Sequence, residues 1–146
     1  MDHKLALITG ASGGIGEAFA HVLAADGYGL VLVARRDQEL HRVKGVVLSK
    51  HEVPIHIVAL DLGEPGAVEA LLGELALKNL VPSILVNNAG YGLAGNAAQL
   101  PRTDQLAMIE LNVRILTDLT LRFLPAMIAA KSGGVINVSS VAGFMP

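Results

Sequence analysis

Apolar positions along the chain follow two alternating patterns. Five short runs, at residues 5–8, 30–33, 55–59, 84–86 and 135–138, are apolar almost throughout instead of at every second place. Runs of this kind mark strands covered on both faces, as in a parallel sheet. Between them the period lengthens to that of a helix. Ile15, Ala18, Phe19, Val22 and Leu23 share one helical stripe that ends at Asp26-Gly27. Leu40, Val43, Val47 and Leu48 repeat the stripe after Asp37, a residue type suited to an N-cap. Val68, Leu71, Leu72 and Leu75 repeat it again after Pro65, which suits a first helical turn. A fourth, longer helix is expected over 103–131, with Pro125 kinking or ending its regular part. Along it Glu110, Arg114, Asp118 and Arg122 alternate in sign at every fourth residue. That salt-bridged stripe reads either as a solvated face or as a subunit contact.

Strand and helix in strict alternation imply right-handed crossovers and an α/β fold, a doubly wound parallel sheet with helices on both faces. Such sheets bind ligands at the carboxyl ends of their strands, where the strand order reverses. The 146 residues, 52% of them hydrophobic, suffice for one domain with a substantial core, and no repeat or linker divides them. A formal net charge of −2 leaves no basic footprint, which sets aside nucleic acid and acidic membrane surfaces as partners. The absence of cysteine excludes disulfides, thiolate catalysis and cysteine-based metal sites. The apolar run at 5–8 is too short for a signal peptide or a membrane span, so a soluble cytoplasmic protein is expected. His3, His21, His41, His51 and His56 show no metal-ligand spacing and are expected to be solvated, with no metal site.

The stretch "ITGASGGIGEAF" joins the first strand to the first helix, with glycines at Gly10, Gly14 and Gly16. A turn of this kind lets backbone approach a pyrophosphate, and the helix behind it offers free N–H groups and a positive dipole end. Side chains at Gly14 or Gly16 would obstruct either the phosphate or the packing of helix on strand. Ser12 and Ile15 of the same turn belong with the cofactor-binding residues. The spacing is Thr-Gly-x-x-x-Gly-x-Gly, with the wider gap first. It resembles the short-chain dehydrogenase/reductase family. "LVNNAG" at 85–90, "ELNV" at 110–113 and "INVSSVAG" at 136–143 resemble further motifs of that family, in the same order. The resemblance covers the whole chain and implies a Rossmann-type, dinucleotide-binding domain over residues 1–146.

An acid about twenty residues past the glycine turn grips the ribose 2′-hydroxyl in NAD-selective folds. Here the second strand ends on uncharged Ala34, followed by Arg35 and Arg36. Arginine offers forked donors and permanent charge to a 2′-phosphate, so NADP is expected over NAD. Arg35 resembles the family's NADP-selecting position, and Arg36 is open to adenine stacking or to solvent. Asp37 reads as the cap of the next helix, with a ribose contact as the lesser option. Asp61-Leu62 resembles the family's adenine-edge contact, with a turn aspartate as the alternative. Asn88, Ala89 and Gly90 are expected to line the cofactor, and Asn87 equally well ties the central strands together.

Hydride transfer at a nicotinamide needs a partner that moves a proton on the substrate oxygen. The resemblance implies a tyrosine for that role, its pKa lowered by a lysine in a Tyr-x-x-x-Lys pair. It also implies a serine that fixes the substrate oxygen and a helix asparagine that supports a water relay. Ser140, before Val141-Ala142-Gly143, matches the serine, with Ser139 as its neighbour on the alternate face. Asn112 matches the asparagine, the other reading being a core amide satisfied by backbone. Tyr28 and Tyr91 head no Tyr-x-x-x-Lys, since positions 32 and 95 are Leu and Gly. Tyr91 reads instead as a pocket or loop residue, and no G-x-S-x-G elbow supports a serine hydrolase.

The expectation is therefore the cofactor-binding part of an NADP-dependent oxidoreductase acting on a carbonyl or secondary alcohol. The proton donor and the last strands are expected to lie outside these residues, and the part is expected to be inactive alone. Residues 91–95 and 143–146 would add only fragments of a mostly apolar substrate wall. The long helix is the expected contact in a homo-oligomer. The alternatives are a non-catalytic dinucleotide-binding module or sensor, and a broken product kept folded by self-association.

Overall fold

The computed structural model describes residues 4–144. In chain order the elements are β1 (Leu5–Thr9), α1 (Gly14–Ala25), β2 (Gly29–Ala34), α2 (Asp37–Leu48), β3 (Ile55–Ala59) and α3 (Ala67–Leu77). They continue with β4 (Pro82–Asn87), α4 (Arg102–Ile109), a π-helical turn (Glu110–Ile115), α5 (Leu116–Ala130), β5 (Gly134–Asn137) and a 3₁₀ turn (Val141–Phe144). The strands pair in parallel in the order β3-β2-β1-β4-β5. The chain thus winds outward from β1 in one direction and returns past it in the other, as in a Rossmann-type sheet.

The apolar runs are apolar because both sheet faces are covered. Ala6, Ile8, Leu30 and Leu32 point to one face, under α1 and α2, where they meet Ala20, Leu23, Leu40 and Val43. Leu7, Val31, Val33 and Leu85 point to the other, against Val68, Leu71, Leu119 and Phe123 of α3 and α5. The edge strand β5 departs from the expectation of a strand buried on both faces. It pairs only with β4 among the described residues, and its Ile136 is 37% exposed.

Several local readings change. The buried stripe of α1 is Gly16, Ala20, Leu23 and Ala24, whereas Ile15 and Val22 are 57% and 59% exposed. Small residues let this helix lie close to the sheet, and that turns the bulkier aliphatics outward. Asp37 is the first residue of α2 and not its cap; the N-cap position is Arg36, and no side-chain hydrogen bond closes it. Pro65 precedes α3 and lies outside its first turn, because Gly66 takes the N-cap position with a left-handed φ of 79°. Pro125 does not end the long helix, which continues to Ala130 with Phe123 and Met127 packed on the sheet to either side. The interruption falls earlier, at the π-helical turn.

The charged stripe is paired as expected, Arg114 with Glu110 and Arg122 with Asp118. Arg122 also donates to Glu69 on α3 at 2.8 Å, so part of the stripe fastens one helix to another within the chain. His41 is exposed, and His21, His51 and His56 are half-buried and still reach solvent. His3 lies outside the described residues, as do Met145 and Pro146. No described helix is long and apolar enough to cross a membrane.

Candidate functional site

β1 lies between β2 and β4, and the strand order reverses there. The carboxyl ends of the strands open at this point onto a cleft of about 1220 Å³. Every expected site residue except Gly16 lines it.

Gly16 sits behind the cleft, where a Cβ would collide with the Gly10 carbonyl and approach Asn88 Nδ2 to 2.7 Å. Gly14 has φ +55°, a conformation that side-chain-bearing residues adopt with strain, and open space where a Cβ would point. α1 starts at this turn with Gly13 as N-cap, and no side chain hydrogen-bonds there as a cap. Its first amides are therefore left for a ligand beside Ser12, Gly14 and Ile15.

A buried threonine, not foreseen as a site residue, holds this turn to the end of β4. The Thr9 hydroxyl donates to the Val86 carbonyl at 3.2 Å and accepts from the Asn88 and Ala89 amides, each at 2.9 Å. Asn88 Nδ2 returns the link by donating to the Thr9 and Gly10 carbonyls. Asn87 works away from the turn, its Nδ2 donating to Thr120 Oγ1 on α5 and to Asn137 Oδ1 on β5. The strand-tying role is thus the one Asn87 performs, and Asn88 joins the two cofactor-side turns.

At the end of β2 the two arginines diverge. Arg36 Nη2 donates to Ser12 Oγ at 3.2 Å and lies over the glycine turn. Arg35 turns toward β3, its Nη1 3.7 Å from Asp61 Oδ2. Asp61 also accepts the Gly63 amide at 2.9 Å, so it closes a turn and faces the cleft at once. Leu62 is buried in the core and reaches the same wall.

Asn112, in the π-helical turn, clasps the loop after β4. Its Oδ1 accepts the Tyr91 amide at 3.1 Å and its Nδ2 donates to the Tyr91 carbonyl at 2.8 Å. The side chain is thus satisfied by backbone while it lines the cleft. Ser139 and Ser140 both follow the last residue of β5, so strand alternation does not separate them, and both line the cleft. Ser140 Oγ accepts the Ala142 amide at 3.1 Å, which fixes the oxygen and leaves its hydrogen for an acceptor in the cleft.

An open, uncapped glycine turn with two arginines beside it fits a phosphate-bearing dinucleotide. Residues 4–146 match the family model for short chain dehydrogenases. The chain belongs to the short chain dehydrogenase family. It is 40% identical to a sulfoacetaldehyde reductase of Chromohalobacter salexigens over 95% of this chain and 55% of that protein. Among solved structures it resembles a metagenomic short-chain oxidoreductase in complex with NADP, with TM-score 0.86 and 37% identity over 96% of this chain and 63% of that one. It also resembles a short-chain dehydrogenase from Sphingobium yanoikuyae in complex with NADPH, with TM-score 0.90 and 33% identity over 98% and 56% of the two chains. The chain spans about half the length of the curated relatives it matches.

In this family member the residues missed by sequence reasoning are Thr9 and Asn137. The threonine was visible in the Thr-Gly pair that opens the turn, and Asn137 in the polar end of an apolar strand. Their partners come from strand neighbours distant in sequence, which the motifs do not state.

Proposed function

We propose that residues 1–146 form the NADP-binding part of a short-chain oxidoreductase that interconverts a carbonyl and a secondary alcohol. The observation that carries the choice of NADP is the end of β2, where Ala34 is followed by Arg35 and Arg36 on the cleft wall. Two guanidinium groups, with uncharged Ala34 where an acid would select a bare ribose hydroxyl, suit a 2′-phosphate. The relatives solved with NADP and NADPH support the reading.

A bound nicotinamide supplies or accepts the hydride. The uncapped start of α1 takes the pyrophosphate, Asn88, Ala89 and Gly90 pass along the cofactor, and Asp61 and Leu62 flank its adenine. Ser140 holds the substrate oxygen with its free hydroxyl hydrogen. Asn112 anchors the loop that carries Tyr91 and supports the proton relay from the π-helical turn. The 146 residues contain no Tyr-x-x-x-Lys pair, so these residues by themselves bind cofactor and turn over little substrate. The setting is cytoplasmic. Leu106, Ile109, Val113, Leu121 and Ile128 leave an exposed apolar seam along the long helix, which suits contact with a second copy.

Titration of NADPH and NADH into the protein, read by nicotinamide fluorescence, tests the cofactor assignment. NADPH is expected to bind the more tightly. Arg35→Ala and Arg36→Ala should each reduce the NADPH/NADH affinity ratio about tenfold, the effect of losing one charge-assisted contact. An unchanged ratio in both variants would overturn the assignment.

A further inference from the structure

One charged cluster beside the cleft has no part in the reading above. Glu17 sits in the first turn of α1, and its side chain is only 22% exposed. Arg42 of α2 grips that carboxylate with both arms, Nη1 donating to Oε1 at 2.9 Å and Nη2 to Oε2 at 2.8 Å. The same guanidinium donates from Nε to Glu39 Oε2 at 2.7 Å, in the first turn of α2. A single cation therefore joins the first turns of two helices. One carries the glycine turn at its head, and the other starts directly after Arg35 and Arg36.

Packing does not call for this arrangement. α1 is already seated on the sheet by Gly16, Ala20, Leu23 and Ala24, and the bidentate pair adds a tie between α1 and α2 to that packing. The electrostatic consequence is larger. A carboxylate in the first turn of a helix draws on the same positive dipole end that attracts an anionic ligand, and it repels that ligand directly. Glu17 stands in this relation to the uncapped start of α1, and Glu39 to the start of α2. The hydrogen bonds from Arg42 hold the Glu17 carboxyl below its ordinary value, so a proton does not remove its charge near neutral pH. A fixed cation is the remaining means of balancing it.

We propose that Arg42 is a positioning residue for the dinucleotide, one that neutralises Glu17 and Glu39 so that the first turn of α1 can accept the pyrophosphate. This rests on the dinucleotide reading above. Arg42 acts through the two carboxylates and is not among the residues that line the cleft. Its influence is on cofactor affinity, and it falls equally on NADPH and NADH because both carry the pyrophosphate.

The test is a double-mutant cycle on the protein expressed from its full reading frame, with NADPH and NADH titrated into each variant and thermal melting recorded alongside. Arg42→Ala should weaken both cofactors about three- to tenfold, a size set by one uncompensated charge in the first turn of α1, behind the residues that line the cleft. Adding Glu17→Gln to Arg42→Ala should restore most of that loss, and Arg42→Lys should keep most of the affinity. Glu17→Gln alone, which leaves the cation in excess, should tighten both cofactors. A merely structural role predicts that Arg42→Ala and the double variant bind equally weakly and that Glu17→Gln binds no more tightly than the wild type. Either result overturns the inference alone. If the wild type binds neither dinucleotide, the cofactor reading falls and takes this one with it.

Discussion

The two sides of the cleft are built to different standards. On the glycine-turn side, β1 and β2 are flanked by strands on both edges, and Ala6, Leu7, Ile8, Leu30, Val31, Leu32 and Val33 are completely buried. On the serine side, β5 has one strand neighbour among the described residues and Ile136 is 37% exposed. The turns differ in the same sense. Thr9 and Asn88 supply five hydrogen bonds between the glycine turn and the end of β4. The serine segment is tied by the Val138 amide to the Asn87 carbonyl, by Asn87 to Asn137, and by a local contact from Ser140 to Ala142. The phosphate binding proposed for the glycine turn would depend on fixed backbone amides, and the central strands fix that turn. The serine segment that would meet the substrate follows β5, which has β4 alone beside it among the described residues.

That contrast predicts that truncating the two strands differs sharply in cost. Leu32→Ala removes a side chain with no exposed surface from β2 and should lower the unfolding free energy by about 2–5 kcal/mol. Ile136→Ala on β5 should lower it by less than about 1.5 kcal/mol, since much of that side chain already meets water. Urea denaturation of the two variants measures both. Equal losses would mean that the edge strand is as firmly integrated as the centre.

Thr9→Val sharpens the contrast at the turns. The substitution keeps shape but leaves the Val86 carbonyl and the Asn88 and Ala89 amides without their partner. A cost of about 1–3 kcal/mol is expected, the usual penalty for stranding buried polar groups. Thr9→Ser, which keeps the hydroxyl, should recover most of it. Dinucleotide affinity should fall in the valine variant as the glycine turn loses its hold on β4, and a titration beside the denaturation curve would show it. A valine variant as stable as the wild type would make the hydroxyl network ornamental.

What the sequence made legible follows from the same physics. The five strands, the doubly wound sheet and the crowding of the motifs at one cleft were readable, because a run apolar on both faces has few other homes. The packing face of α1 was readable only at Phe19 and Leu23, since Gly16, Ala20 and Ala24 carry little hydrophobic signal, and their smallness is what lets the helix approach. The π-helical turn was equally hidden. One extra residue per turn shifts the register of an apolar pattern by an amount that ordinary variation masks. Asp61 as a partner of Arg35 depends on β2 lying beside β3, and Thr9 as a hub depends on β1 lying beside β4. Sequence motifs name the residues at strand ends, but the order of the strands decides which of them meet. The separation of Ser139 from Ser140 by strand alternation failed for a local reason, because β5 stops at Asn137 before either serine is reached.

The smallest effect tests the other edge of the sheet. His56 on β3 pairs with Val31 and is half-buried, and burial is the main cause that pushes its pKa below the ordinary 6.5, with Lys78 and Lys44 acting in the same direction. A base whose folded pKa lies below its unfolded one binds its proton more readily when unfolded. The stability it contributes is therefore fully present above about pH 6.5 and is lost as the pH falls through the folded value. Urea midpoints measured at intervals from pH 7.5 to pH 5 should decline over that window, and His56→Gln, which cannot acquire the charge, should flatten part of the decline. If His56→Gln reproduces the full slope of the wild type, the edge at β3 admits enough water to solvate the imidazolium, and both edges of the sheet are then equally open.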